Sequence, residues 1–470
     1  MNRHVMTLAV TALAGVAVLA SCPAQADALA GVSGRAGGWG KAEEVPGTAG
    51  LNRGFAHAYS VSCPAVDSCS VSGSYTDSSG NLHAFVASRG HDGWGEAMDI
   101  PGLAGMGLSC PSTGNCGAAG YSTDSSGHQQ AFVVSQSDGA WGTPEEVPGI
   151  AALGQGSAAV SLSCPSAGNC STAGTYREGS GQQEFVDSQV DGTWGRAAAM
   201  PGIAALNQGG YAMTSAVSCG SAGNCAAGGV YTDRSLHLHA FVISQVRGTW
   251  GRAEQPRGIA ALNRDDSAQL AALSCASAGN CSAGGVYADS SGRTQPFVVS
   301  QVRGAWGRAE EVPGIAALNM GSDAEVTSVS CASAGNCSAG GLYTDSSGHT
   351  RAFGVSQVHG AWGKAIAIPG TPALDQAATA TILSLSCGSA GNCSAGGAYT
   401  DNAGNPHAFV ASQVHGTWGA AQQVPGLPAL NKGDNAQISD VSCGSARNCA
   451  AAGYYTDSSG HTQAFVVSRT

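Results

Sequence analysis

Charge is scarce in this chain. Only 11% of the 470 residues are Asp, Glu, Lys or Arg, and 20 basic residues stand against 31 acidic ones. Lysine is nearly missing, with Lys41, Lys364 and Lys432 alone. A surface so poor in cations builds no basic patch, which excludes nucleic acid and anionic membranes as partners and leaves neutral or cationic polymers. Aromatic residues reach only 6%, too few for a core built on large rings. Beyond the N-terminus no window sustains the apolar period of about 3.6 residues that marks a helix, and none approaches the roughly eighteen apolar residues of a spanning helix. Helix is therefore expected to matter little, and no transmembrane segment is expected.

Glycine and cysteine are abundant instead, at 70 and 17 residues. Sixteen of the cysteines form eight C-x5-C pairs: Cys63-Cys69, Cys110-Cys116, Cys164-Cys170, Cys219-Cys225, Cys275-Cys281, Cys331-Cys337, Cys387-Cys393 and Cys443-Cys449. The later pairs recur at a nearly constant interval of 55 or 56 residues. Such regularity marks an internal repeat, with a period close to that of long propeller blades. The sixth copy holds four short segments: 324–330, Asn336 to Tyr343, Thr350 to Gln357, and Trp362 to Ile368. Each is bounded by Gly, Ser, Asp, Asn or Pro, the pattern of strands and turns. Eight repeats of four strands predict an all-β fold, an eight-bladed β-propeller with four antiparallel strands per blade.

The two ends of the repeat are out of phase. Trp39-Gly40 with Glu43-Glu44-Val45-Pro46 reads as a fourth strand with no preceding three, and Ala464 to Ser468 is a third strand with no fourth after it. The N-terminal strand is expected to complete the last blade and leave no open edge. Residues 39–470 are thus read as one domain. Residues 1–26 read as a signal peptide: a basic start, an apolar run from Val5 to Ala20, and Ala24-Gln25-Ala26 at its end. Residues 27–38 read as a flexible lead. The unpaired Cys22 lies in Leu19-Ala20-Ser21-Cys22, which resembles a lipoprotein cleavage site. Free secretion and a lipid anchor on Cys22 at the cell surface therefore compete, and Pro23 directly after the cysteine favours free secretion.

Export implies oxidising conditions, in which all eight pairs are expected to be disulfides. The spacing matches no common zinc motif. Each bridge would staple the hairpin of strands one and two, worth about 2 kcal/mol for so short a loop.

The string Ser328-Val329-Ser330-Cys331 through Cys337 and Tyr343, then Gly360-Ala361-Trp362-Gly363, resembles repeats of secreted actinobacterial proteins generally taken to be propellers. The resemblance spans nearly the whole chain after the N-terminal segment. It implies a fold and export but no activity, and so carries no catalytic residues across. Repeat two departs from it by being shortened between Pro101 and Cys110, and repeat three by having Tyr176-Arg177-Glu178-Gly179-Ser180-Gly181 where other copies have Tyr-Thr-Asp-Ser-Ser-Gly.

The candidate binding face carries the turns between strands two and three, with Asp77, Asp124, Glu178, Asp233, Asp289, Asp345, Asp401 and Asp457, beside the long connections Pro-Gly-Ile-Ala-Ala-Leu-Asn. The competing reading of these acids is purely local, since Asp opens a turn by bonding its own backbone. Each turn supplies one carboxylate, too few for a calcium loop, so neither metal nor cofactor is expected. Tyr287, Tyr343 and Tyr399 are expected to converge on the same face. The eight tryptophans, once per repeat, are expected to wedge between blades. His83, His239 and His407 share a position where other copies have Gln or Arg, read as a solvated strand site.

No catalytic constellation is recognisable. The clearest breaks in the pattern, Arg177-Glu178 with Glu184 and Asp187, and Arg264-Asp265-Asp266, match no known site. The favoured reading is an exported, non-catalytic, monomeric binding or scaffold module that recognises an extracellular glycan or cell-wall polymer through many similar contacts. A carbohydrate-active enzyme with its site in the channel, and a purely structural envelope protein, remain as alternatives. Non-reducing peptide mapping of the purified protein is expected to return eight bridges, each inside its own repeat; one bridge joining two repeats contradicts both pairing and hairpin placement.

Overall fold

The computed structural model describes residues 38–124, 126–374 and 379–469, which form one compact unit. The expected signal peptide, Cys22 and nearly all of the expected lead lie outside the described residues. Within them, eight antiparallel sheets follow one another along the chain. In blade one the strands are Ala56–Ala65, Ser68–Thr76 and Leu82–Gly90, hydrogen-bonded in that order. The expected fourth strand is there in two pieces. Gly93–Trp94 and Met98–Ile100 both pair with the third strand, and the chain leaves the sheet between them.

The first strand of each blade packs against the first strand of the next, and blade eight's packs against blade one's, so the eight sheets close into a ring around these strands. The N-terminus supplies the last blade's missing strand as expected. Glu43 and Glu44 pair with Val466 and Phe465, and Trp39 bridges to Arg469. A side-chain bond reinforces this seam, from the Tyr455 hydroxyl to Glu44 Oε2 at 2.9 Å.

Two kinds of packing explain the repeated motif. On the second strand a glycine lies directly across from the third-strand phenylalanine in every blade, as with Gly73 and Phe85 or Gly341 and Phe353. The ring covers the bare backbone; a Cβ on Gly73 would lie 2.7 Å from the Phe85 ring carbons. Seven of these phenylalanines are fully buried, which gives each blade a core from one aromatic side chain and small neighbours. Between blades, tryptophan and serine take over. Trp306 and Trp362 donate to Ser244 Oγ and Ser300 Oγ of the preceding blade at 3.1 and 3.3 Å.

The serine just before each first cysteine forms a belt. Ser62 Oγ accepts the backbone N–H of Cys110 at 2.9 Å, Ser109 accepts that of Cys164 at 3.0 Å, and the bond recurs at every junction until Ser442 accepts that of Cys63 at 2.9 Å. Each bond is worth about 1 kcal/mol net. At the seam Asp440 adds a larger link: its carboxylate accepts from Val61 N in blade one at 2.9 Å and from Ser384 Oγ in blade seven at 2.8 Å.

All eight cystines are closed within their own hairpins, with Cα separations of 3.9 to 4.0 Å. They lie on one face, next to the third-to-fourth turns; Gly139 N, for example, donates to Gly114 O at 2.8 Å. The long connections lie on the other face and coil into a single turn of helix, such as Thr48–Leu51 or Ile203–Leu206, which a search for sustained periodicity is too coarse to find. Removal of residues 38–46 deletes the closing strand and the Tyr455 bond together, so the truncated protein is expected to melt lower and to self-associate through the exposed third strand. An unchanged melting temperature in a monomer would contradict this closure.

Candidate functional site

The face opposite the cystines holds the Asp turns and the long connections, as the repeat pattern implied. Thr76 N donates to Phe55 O and Arg53 N to Thr76 O, at 2.8 and 2.9 Å, tying turn and connection together in blade one. The seven aspartates of this face share one geometry. In Asp345, Oδ1 accepts the backbone N–H groups of Ser347 and His349 at 2.8 and 3.0 Å. Asp77, Asp124, Asp233, Asp289, Asp401 and Asp457 do the same with their own i+2 and i+4 residues.

The second carboxylate oxygen is occupied as well, by the residue six positions on. His83, His239 and His407 reach Asp77, Asp233 and Asp401 at 3.1, 3.2 and 3.0 Å. Gln130, Gln295 and Gln463 donate to Asp124, Asp289 and Asp457, and Arg351 to Asp345. This corrects the reading of that position as a solvated strand site: His, Gln and Arg alternate there because each presents an N–H donor. Backbone and side-chain donors hold the carboxyls of Asp77 and Asp401 down at about 2. The local reading of the acid ring therefore accounts for seven of its members.

The tyrosines are also corrected. Tyr287, Tyr343 and Tyr399 are buried and not offered to a ligand. Tyr287 donates to Glu311 Oε2 at 2.8 Å and Tyr75 to Asp99 Oδ1 at 2.9 Å, each phenol tying strand two to the outer strand of its own blade. With burial, this pushes the Tyr75 phenol up to about 12.

Glu178 departs from the other seven. Its turn is tighter, with Glu178 paired directly to Gly181. Neither Glu178 nor the neighbouring Arg177 forms a side-chain hydrogen bond or ion pair among the described residues, and both are exposed. They line a cleft of about 830 Å³ between blades two and three, with His128 and Gln129 from one side and Leu153 to Gly156 from the other. The connection that lines the cleft departs from the others. In blades one, four and six the asparagine ending the connection straps it to the preceding blade: Asn52 Nδ2 donates to Thr462 O and Gln463 Oε1, both at 2.8 Å, Asn207 Nδ2 to Gln182 O at 2.8 Å, and Asn319 Nδ2 to Gln295 Oε1 at 3.0 Å. Blade three has Gly154 in that place, and a Cβ there would overlap the carbonyl oxygen of Arg177.

A second cavity, about 370 Å³, opens among the inner strands of the first three blades, where Gly105 and Gly107 of the shortened second repeat leave room beside Tyr59 and Tyr121. Its lining has no carboxylate, imidazole or thiol.

Glu184 and Asp187 of repeat three are buried. Glu184 stands where other blades have Ala or Pro, and its Oε2 accepts Thr214 N of blade four at 2.7 Å. Burial raises Glu184 to about 8 and Asp187 to about 6. At the seam burial lowers His57 to about 4, between Tyr59 and Tyr454 with ring centroids 4.2 and 4.7 Å away.

No family model matches the chain, and no curated protein matches it. Among solved structures it is similar to Sqt1 of Chaetomium thermophilum, described bound to the N-terminus of a ribosomal protein (11% identity, 89% of this chain and 98% of that one, TM-score 0.46). It is also similar to the BP39L lectin of Burkholderia pseudomallei (14% identity, 80% and 99%, TM-score 0.42). A third is a protein of unknown function from Dyadobacter fermentans (11% identity, 92% and 100%, TM-score 0.40). Likenesses at this level carry no argument about what this chain binds.

The buried acids have a consequence for stability. A carboxyl raised in the folded state keeps its proton after the unfolded chain has lost it, so stability falls as pH rises through the interval between the two values. Asp187 acts below about pH 6, where His57 opposes it: a folded imidazole held at about 4 makes stability rise with pH from there to its ordinary 6.5. Between pH 6.5 and 8 Glu184 continues to act, joined by Asp440, whose carboxyl burial also raises, and Glu184 alone is expected to lower stability there by about 1.4 kcal/mol per pH unit at first. Chemical denaturation with disulfides intact, at pH 6.5 and 8, checks this. Glu184→Gln is expected to flatten the profile, and an equal slope in that variant would contradict the assignment.

Proposed function

We propose that the protein is an exported, non-catalytic binding module whose ligand, a neutral extracellular or cell-wall glycan, lies in the cleft between blades two and three. The observation carrying this reading is the pair Arg177 and Glu178, exposed beside each other in the cleft without side-chain partners among the described residues. A cationic donor and an anionic acceptor, joined by the amides of Gln129 and Gln155 and by Thr123, provide what a polyhydroxylated ligand needs from both its donors and its acceptors. Eight cystines are consistent with an oxidising, extracellular setting, and no described helix is long and apolar enough to cross a membrane. Recognition spread evenly over the acid ring is less well supported than this single cleft, because seven carboxylates already use both oxygens within their blades. The alternative of a channel enzyme is less well supported, the lining of the inner cavity offering tyrosine and serine hydroxyls but no carboxylate, imidazole or thiol.

The test is a binding screen of the full chain against glycans and cell-wall fractions. Arg177→Ala with Glu178→Ala is expected to weaken binding at least tenfold, since both side chains are free and the loss is confined to ligand contact. Asp345→Asn in blade six is expected to leave binding unchanged. Undiminished binding by the folded double variant, or no binding to any fraction, overturns the proposal.

A further inference from the structure

Blade four differs from every other copy at its turn. It alone has histidine both four and six residues after the turn aspartate, in Asp233, His237 and His239; blade one has Asn81 and His83, and blade seven Asn405 and His407. Leu236 stands where six other turns have glycine and is held at a φ of 67°, a backbone region costly for a leucine. The connection that enters blade five carries Arg264-Asp265-Asp266, a break in the pattern with no partner visible in the sequence. The fold brings the two irregularities together. Leu238 N donates to Asp266 O at 3.1 Å, which fixes Asp266 beside His237.

The resulting cluster has two imidazoles and two carboxylates. Asp233 Oδ2 lies 3.2 Å from His239 Nε2 and 3.6 Å from His237 Nδ1, while Asp266 Oδ2 lies 3.5 Å from the same His237 nitrogen. The ligand atoms of Asp233, His237 and His239 are all within 4.8 Å of one another. His237 is the informative member. Its Nδ1 stands between two carboxylate oxygens, at a distance from each that is too long for a good hydrogen bond. A tetrahedral ion with bonds of about 2.0 to 2.1 Å to nitrogen and oxygen sets its ligands about 3.3 to 3.4 Å apart, close to all three separations. Asp233, His237 and His239 thus stand at the spacing of three ligands around one ion, and the Asp266 carboxylate lies within reach of His237.

We propose that Asp233, His237 and His239 form a binding site for a borderline divalent metal, which the neighbouring Asp266 carboxylate completes by turning in when the ion binds, with Zn2+ the best match to two nitrogens and two oxygens. The one-carboxylate count that argued against metal in any turn took each repeat alone; here the second carboxylate comes from the next blade. The ion joins the turn of blade four to the connection of blade five, on the face where these blades lack any cystine. It is distinct from the cleft between blades two and three, and neither proposal depends on the other.

The repeat itself supplies mild substitutions: His237→Asn and His239→Gln place at each position a residue that other blades carry there. Titration of the metal-free full chain with Co2+ is expected to produce the intense visible bands of a tetrahedral complex at one equivalent, displaced by Zn2+. Zn2+ is also expected to raise the melting temperature, by a stabilisation that grows with the logarithm of its excess over the dissociation constant. Binding should weaken at least tenfold in each single variant, and in Asp266→Asn, while His407→Gln in blade seven leaves it unchanged. Absence of the tetrahedral bands, or equal affinity in the folded His237→Asn/His239→Gln variant, overturns the site. Equal affinity in Asp266→Asn overturns its inter-blade ligand.

Discussion

The ring depends on a hydrogen bond between a serine hydroxyl and the next blade's backbone, made once at each junction. Ser62, Ser109 and their six counterparts each accept the N–H of the following blade's first cysteine, and the series ends where Ser442 meets Cys63. The donor is always a residue pinned by its own local cystine, so the inter-blade bond starts from a point that is already rigid. A closed series of such bonds sets the angle at each junction, because opening one junction must distort the others. A larger side chain in place of serine would separate the inner strands, and alanine would leave a backbone N–H without a partner in a tightly packed place.

This belt and the cystines are confined to one face. The opposite face is joined by weaker and more variable devices: asparagine straps, turn carboxylates and the backbone bonds of the connections. Variation is tolerated there because the ring is already held elsewhere. That explains why both irregular regions, the cleft at Gly154 and Arg177 and the cluster around His237, occur on the same side. The fold separates a face that keeps the ring closed from a face free to change.

Much of the architecture was legible in the chain. The C-x5-C interval counted the blades, the phase offset between Trp39 and Ser468 predicted the closing strand, and Glu43–Glu44 pairs where that offset requires. The candidate face was legible too, but the roles of its residues were not. Asp345 and Arg351 are six apart on a turn and a strand, and their contact follows from the hairpin's register and not from any local period. Tyr287 was expected at the surface because it adjoins the turn, yet it points to Glu311 across the blade. The His, Gln and Arg at one position seemed unrelated until their common partner was seen. Glu178 was grouped with the aspartates by alignment, although its shorter turn leaves it the one acid of the ring without an internal bond.

By itself, the sequence determined what is repeated: four strands to a unit, eight units, a bridge inside each hairpin and an order in which the ends complete each other. These follow from local chemistry, because turn residues, alternating small side chains and paired cysteines act within a few positions of one another. Only the tertiary structure decided which residues of different repeats meet. Ser330 finds Cys387, Arg177 and His128 come to line one cleft, and Asp266 arrives next to His237 through the closure of the ring. Such contacts depend on the angle between neighbouring sheets, which is set by the sum of many inter-blade bonds and packed rings and is written in no single stretch of the chain.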